Sequence, residues 1–512
     1  MFIATLIDRA ATRWPSRTAV VDGDVRLSFA ELRDRVARLA NALAGLGLEP
    51  GDRVLDIQKN SHSYVETDLA FAVAGLVRVP VNVRLTPAEW AYIADDSGAR
   101  AVVHGAEFAE AAAELRELAG VELTIGVGDA GPGHDYEQLL ADASAILPHR
   151  WATPGEIVGL NYSSGTTGKP KGCIRTAANR FASMQDMLAA LFEQPLASDD
   201  VFLHAGPLTH ASGLFLLPHV AVGATQVLLG RFDPEQVARM LERGGITGTV
   251  LVPTMLERVL ATYGEDGAPR RFEALRRVAY AGAPMEPARI SAANGLLAGR
   301  LVQFYGLVEA IPPITVLTQE DHREAELLAS AGRPAPGVAT AIAGDDGEPL
   351  PVGERGELAI GGNHVMGGYW GNQDATVKSI EHGWLRTGDV AWQDERGYVY
   401  LVDRKADMII SGGFNVMPRE VELALTETGA VAEATVIGVP DPVWGEAVTA
   451  FVVAADGMEV DTGALMEHCA AQLSGFKKPK RIEVVERLPK SSTGKVSRSA
   501  LRAAVAAERG RA

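Results

Sequence analysis

Short apolar runs alternate with amphipathic helical stretches through the first 280 residues, and this alternation restricts the possible folds more than any other feature of the chain. RVLDI, LVRVPVNV, AVVHG, EIVGLNY, VFLHAG, TQVLLG, GTVLVP and RRVAYAG read as strands, with helical patterns between them. Strand–helix–strand repetition puts helices on the faces of parallel sheets. One helix is marked at its start by a capping box of Ser28 and Glu31. In it Phe29, Leu32, Val36, Leu39 and Leu43 recur on one face, and Gly45 and Gly47 supply the stop.

After about residue 335 the texture changes. GDDGEPLPVGERGELAIGG and GWLRTGDVAWQDERGYVYLVDR read as short strands joined by Gly/Asp turns, and from Asp403 a compact α+β pattern runs to the end. A chain of 512 residues is too long for one ordinary domain. The expected fold is α/β. A large N-terminal domain, residues 1–403, holds parallel sheets covered by helices plus a small β-rich subdomain. A small α+β C-terminal domain spans residues 404–512.

Composition excludes several classes. Hydrophobic residues at 47% and charged residues at 22% suit a soluble globular protein, and a net charge of −17 argues against nucleic acid or anionic membrane as partners. Residues 475–512 reverse that charge, with eleven Lys/Arg against three Asp/Glu. Such a stretch is either a solvated helix face or a surface for a polyanion. Cys173 and Cys469 are far apart and lack metal spacing, which excludes a disulfide framework and points to a reducing, cytoplasmic setting. Asp8 and Arg9 interrupt the apolar start, so no signal peptide is expected. Residues 214–230 contain Pro218 and His219 and read as core helix and strand, not as a membrane span.

The most informative segment is YSSGTTGKPKG, residues 162–172, directly after the strand EIVGLN. Four Ser/Thr hydroxyls, three glycines and two lysines fall within its eleven residues. Glycines let backbone amides approach a ligand, hydroxyls add donors, and lysines add charge, which together suit phosphate oxygens. The Gly-Lys-Ser/Thr ending of a Walker loop is absent.

This segment resembles the signature loop of the adenylate-forming superfamily: acyl-CoA synthetases, aryl-CoA ligases, luciferases and carrier-loading adenylation domains. Further motifs of that superfamily follow in order along nearly the whole chain. The resemblance implies ATP and Mg²⁺ as cofactors. It places Ser163, Ser164, Gly165, Thr166, Thr167, Gly168 and Lys171 on the phosphates, and Gly282, Ala283 and Pro284 along the adenine. In QFYGLVEA it implies that Gln303, Tyr305 and Gly306 border the nucleotide, with Tyr305 packed on adenine, and that Glu309 holds Mg²⁺. Before that acid the family usually has Thr or Ser, whose hydroxyl reaches the α-phosphate; this chain has Val308. A phosphate oxygen left without that donor would lose about 1–3 kcal/mol. Asp389 in WLRTGDV, expected after a tight turn, resembles the acid that accepts both ribose hydroxyls, and Arg404 follows at the hinge. The pivot residue there is usually Asp or Lys and aligns with Ala406.

Near the end, LPKSSTGKVSR resembles the last motif. It implies that Lys495 meets the acid's carboxylate and the α-phosphate during adenylation. His210 in PLTHASG is a second catalytic candidate, between acid pocket and thiol tunnel. For coenzyme A, the resemblance implicates Phe476 and Lys478, beside Lys477, in SGFKKPKR, Trp444 in DPVWGEAV, and Gly412 and Gly413 along the pantetheine path. The acid pocket is expected among His210, Ala211, Gly282, Leu307 and residues 311–314, mostly small or apolar, which suits an aryl or aliphatic carboxylate. Three readings follow: an acyl- or aryl-CoA ligase, an enzyme loading a carrier-protein thiol, and a member activating another oxyanion, such as nitrite, onto an amine. A homodimer is compatible with each.

Overall fold

The computed structural model describes residues 2–509 except 129–130, 132, 151, 164–168, 193, 265–270, 412–413, 474, 476 and 492–494. The chain divides into two compact units. One comprises Met1–Thr340, Ile360–Leu385 and Gly397–Val399; the other comprises Ala341–Ala359, Arg386–Arg396 and Tyr400–Ala512.

The first unit is built on two large sheets. In the nine-stranded sheet a parallel run of Leu301–Leu307, Arg277–Tyr280, Gly248–Leu251, Val201–His204, Thr225–Leu228 and Thr18–Asp22 is closed at each edge by antiparallel strands. The seven-stranded sheet has the order His134–Asp135, Leu123–Val127, Ala101–Gly105, Arg53–Ile57, Val77–Pro80, Ile157–Tyr162, Gly172–Thr176. All its neighbours are parallel except the last pair, which is antiparallel. The expected parallel α/β architecture is therefore present, with antiparallel strands at its margins.

The capped helix forms as the pattern requires, over Phe29–Gly45. Ser28 Oγ accepts from the Glu31 amide at 3.2 Å, and the Ser28 amide donates to Glu31 Oε2 at 2.7 Å. Leu32, Val36, Leu39 and Leu43 are fully buried, each contributing roughly 1.5–3 kcal/mol of apolar transfer. Residues 214–230 form a helix, Leu216–Val222, and a strand, Thr225–Leu228. No helix among the described residues is long and apolar enough to cross a membrane.

A third sheet of five short strands, Val338–Ala343, Gly356–Gly362, Ile380–Glu381, Trp384–Gln393 and Val399–Arg404, is the β-rich portion expected after residue 335. In the second unit, Val431–Asp441 and Gly445–Ala454 form a long antiparallel hairpin. Ile409–Ser411 and Phe414–Val416 extend it on one side, and Arg481–Val484 pairs in parallel with Gly445–Ala454. Val421 and Leu425 of helix Pro418–Thr426 and Leu465 of helix Thr462–Gln472 bury themselves with Val436, Val448 and Val452 of this sheet.

Candidate active site

In the first unit the phosphate-type segment joins two antiparallel strands, so it is a hairpin loop. Its base is held by the Ser163 amide donating to Lys171 O at 3.0 Å and by Tyr162 paired with Gly172. A Cβ at Gly172 would sit 3.0 Å from the Tyr162 ring, a tight contact with a side chain whose hydroxyl donates to Asp96 at 2.7 Å. Lys171 places its ammonium 4.5 Å from the centre of the Tyr369 ring. Ser164, Gly165, Thr166, Thr167 and Gly168 lie outside the described residues.

Glu309 is presented by a second hairpin. Leu301–Leu307 and Ala310–Leu317 pair through Leu307 and Ala310, leaving Val308 and Glu309 as a two-residue turn. Tyr369, whose ring faces Lys171, donates its hydroxyl to Glu309 Oε1 at 3.1 Å. The two hairpins thus share one aromatic ring. Gln303 accepts from the Tyr280 hydroxyl at 3.1 Å, and Tyr305 is half-buried on the same strand. Gly306 packs against the neighbouring strand: a Cβ there would lie 2.5 Å from Pro312 Cγ. Gly282, at φ +92°, turns the chain after strand Arg277–Tyr280, and leaves itself and Pro284 exposed, with Ala283 half-buried. No group of three or more His, Cys, Asp or Glu that could hold a metal ion occurs among the described residues.

Beside these hairpins lies a cavity of about 110 Å³. Of the expected acid-pocket residues, His210 and Ile311 line it; Ala211, Gly282, Leu307, Pro312, Pro313 and Ile314 do not. Its wall is more polar than expected, because Asp68, Arg78, Arg175 and Arg180 contribute to it together with Leu208, Leu214 and Leu217. Arg78 pairs with Asp56 at 2.6 Å and with Asp68 at 2.7 Å, and Arg180 pairs with Asp68 at 2.7 Å. Arg175 is buried and donates through Nη2 to the Val308 carbonyl, while its Nη1 has no hydrogen-bond partner. Burial pulls the Arg175 pKa down to about 10, against the opposing influence of Cys173 and Glu309. His210 is exposed at the end of a tight turn closed by its amide, which donates to the Pro207 carbonyl at 3.1 Å.

In the second unit Asp389 sits within strand Trp384–Gln393 and not beyond a turn; only Gly388, at φ +74°, breaks the strand's regularity before it. Asp389 is buried and pairs with Arg404 Nε at 2.5 Å. Lys495 is an exposed residue whose ammonium is nonetheless crowded by protein. The lost hydration and the Arg404 charge lower its pKa, while Asp389 acts in the opposite direction. The structure therefore brings Asp389, Arg404 and Lys495, separated by 106 positions from first to last, into one electrostatic group. Arg498 joins Asp407 at 3.0 Å and Glu422 at 2.6 Å and lies 3.8 Å from Asp403. No motif or periodicity in the sequence singles out Arg175 or Tyr369, and Arg498 ends the motif LPKSSTGKVSR without a role read for it.

Trp444 is half-exposed in the turn of the long hairpin, with the Lys480 ammonium 4.3 Å from its ring centre. Phe414 and Val443 are also exposed. Lys477 forms an ion pair with Glu420, and Lys478 is half-buried. Gly412, Gly413 and Phe476 lie outside the described residues.

Two family models match: AMP-binding enzyme over residues 7–370, and AMP-binding enzyme C-terminal domain over residues 420–495. A feruloyl-CoA synthase of Amycolatopsis is 39% identical over 496 residues, covering 96% of this chain and 97% of the relative. A medium/long-chain fatty acid–CoA ligase of Mycobacterium tuberculosis is 35% identical over 514 residues, covering 97% of this chain and 89% of the relative. Among solved structures, an amide bond synthetase from Marinactinospora thermotolerans superposes with a TM-score of 0.88 at 32% identity, covering 98% of this chain and 99% of that one.

Proposed function

This chain belongs to the adenylate-forming superfamily of AMP-binding enzymes, and from that premise we infer how its own residues divide the work of a two-step ligase. The enzyme is an AMP-forming acid–thiol ligase that uses ATP, Mg²⁺ and coenzyme A. A carboxylate oxygen attacks the α-phosphorus of ATP and pyrophosphate leaves. The thiol of coenzyme A then attacks the acyl carbon of the adenylate and AMP leaves, giving the thioester.

Both steps gather negative charge, so the residues that matter most are those that neutralise or orient it. Lys171 and the hairpin loop take the phosphates. Glu309 would hold Mg²⁺, which would screen the charge of the phosphates. Tyr305 and residues 282–284 border the adenine, and Asp389 accepts the ribose hydroxyls, the carboxylate having two oxygens for two donors. Lys495 meets the carboxylate and α-phosphate, where a fixed cation contributes on the order of 3–4 kcal/mol. His210 lies where the acid enters. Trp444 and Lys478, with Phe476, receive the adenine and phosphate of coenzyme A. Residues 1–403 form the adenylating domain and 404–512 the mobile domain that carries Lys495, with Arg498 fixing the segment that follows Asp403.

The observation that carries this reading is the sharing of Tyr369 between the Lys171 hairpin and the Glu309 hairpin, which holds a cation and an acid for the same polyphosphate on one ring. The substrate is an aryl or aliphatic carboxylate, a reading supported by feruloyl- and fatty-acyl-CoA ligases among the relatives. A panel of hydroxycinnamates, benzoates, fatty acids of increasing length and nitrite, scored by pyrophosphate release with and without coenzyme A, tests it. The expected result is coenzyme A-dependent turnover with at least one carboxylate and none with nitrite. Turnover with nitrite alone, or with no acid, sinks the reading.

A further inference from the structure

We propose that Arg175 is a substrate-binding residue, whose free Nη1 receives an oxygen of the acid's reacting carboxylate within the polar cavity. This inference rests on the ligase reading above and adds to it a residue that the motifs do not contain.

The first argument is charge balance. Three arginines line the cavity. Arg78 and Arg180 are neutralised by Asp56 and Asp68 through contacts of 2.6–2.7 Å. Arg175 has no ion pair among the described residues, although it is only 5% exposed. A buried cation without a counter-charge is costly, and an anionic guest removes that cost. Among the lining residues three arginines face one aspartate, and Glu309, outside the lining, acts on Arg175 without pairing with it, so the wall is suited to one more negative charge, that of a carboxylate.

The second argument is geometry. Nη2 is committed to the Val308 carbonyl, at the turn that presents Glu309. The guanidinium is thus held by the turn that presents the candidate metal residue. Nη1 is the remaining buried donor without a partner. The rest of the wall supplies apolar surface for the body of the acid, from Met184, Leu208, Leu214, Leu217 and Ile311. A carboxylate held on Nη1 lies at the Glu309 end with its hydrocarbon directed into that surface. This placement also puts a donor beside Val308, which has no hydroxyl of its own to offer.

The test compares an acid with its neutral amide. Ferulate and octanoate serve as acids, and their primary carboxamides serve as competitive inhibitors of pyrophosphate release. In Arg175→Leu the KM for the acid should rise by about 10–100-fold, as expected for loss of a charge-assisted hydrogen bond. The inhibition constant of the amide should change far less, and the KM for ATP should stay within about two-fold. Arg175→Lys should recover part of the acid's affinity, and it keeps the experiment decisive if the leucine variant does not fold. A structural role alone would weaken acid and amide together, and that result overturns the proposal. So does an acid KM that stays within two-fold of wild type in both variants. Wild-type enzyme that releases pyrophosphate with no carboxylate would instead overturn the ligase reading, and this inference with it.

Discussion

Lowering the pH from 8 to 5 forces a choice on His204 and His219, which are both buried in the first unit. His204 Nδ1 lies 2.9 Å from Ser212 Oγ and its Nε2 lies 3.2 Å from Gln226 Oε1; His219 Nδ1 donates to the Phe215 carbonyl at 2.6 Å. The Phe202 ring packs against both imidazoles, at 4.9 and 4.5 Å between ring centres. Burial dominates in each case and pulls each pKa down to about 3, helped by His219 acting on His204 and by Arg277 acting on His219. In the unfolded chain both titrate near 6.5. A depressed histidine pKa means that the unfolded state takes up the proton first. Stability from these groups is therefore complete above about pH 6.5 and is lost progressively as pH falls towards 3. Between pH 8 and pH 5 each histidine forfeits roughly 2 kcal/mol, together about 4, a large part of a domain's usual 5–15 kcal/mol. Urea unfolding of wild type and His219→Leu at pH 8, 6.5 and 5 measures it. The leucine variant leaves the Phe215 carbonyl unpaired, which lowers stability by about 1–3 kcal/mol at pH 8, a gap that narrows as pH falls. Its slope against pH should nevertheless be shallower by about one proton, roughly 1.4 kcal/mol per pH unit near pH 5. Equal slopes in the two proteins would refute the reasoning, whatever the difference in level.

Gly306→Ala should destabilise the first unit by about 1–3 kcal/mol through overpacking on Pro312, and a Gly306→Ala/Pro312→Ala double variant should recover part of the loss; additive losses in thermal unfolding would contradict the close approach. Lys495→Ala should slow ATP–pyrophosphate exchange by about 10²–10³-fold while sparing acyl transfer from a supplied adenylate, so unchanged exchange would remove Lys495 from the first step. Trp444→Ala should raise the KM for coenzyme A and leave exchange untouched, whereas a loss of exchange would make Trp444 a residue of the first step or of the fold.

The strands and the capped helix are legible in the sequence because each rests on local rules: a period, a cap, a stop. The strand RVLDI is Arg53–Ile57 and RRVAYAG contains Arg277–Tyr280, since continuous apolar runs have few other places to go. The sense of the last pairing follows from length: the nine residues between Tyr162 and Gly172 are too few for an ordinary parallel crossover, and Gly172–Thr176 runs antiparallel to its neighbour. Asp389 is marked by its motif but expected after a turn, because a glycine before an acid reads as a turn when the flanking pairing is unseen; here Gly388 breaks an otherwise continuous strand.

The polar wall of the cavity escapes a sequence reading for a different reason. Arg78 lies in VRVP, and Asp68 lies in the helix His62–Ala74, where Glu66, Thr67 and Asp68 are all buried. A charge inside an element buried on every side must be paired, so charges within such apolar runs imply a network by their positions alone. Which charge pairs with which cannot be read from the runs, because the partners lie 10, 22 and 112 positions apart. Only when Asp56 and Asp68 are assigned to Arg78 and Arg180 does Arg175 emerge as the unmatched cation. Arg175 meets Val308 across 133 positions, and that contact exists only because two hairpins converge. The departure at Val308 is visible as a missing hydroxyl, whereas the guanidinium beside it belongs to another strand. A motif read position by position reports the loss of a hydroxyl and is blind to the cation that another strand brings beside it.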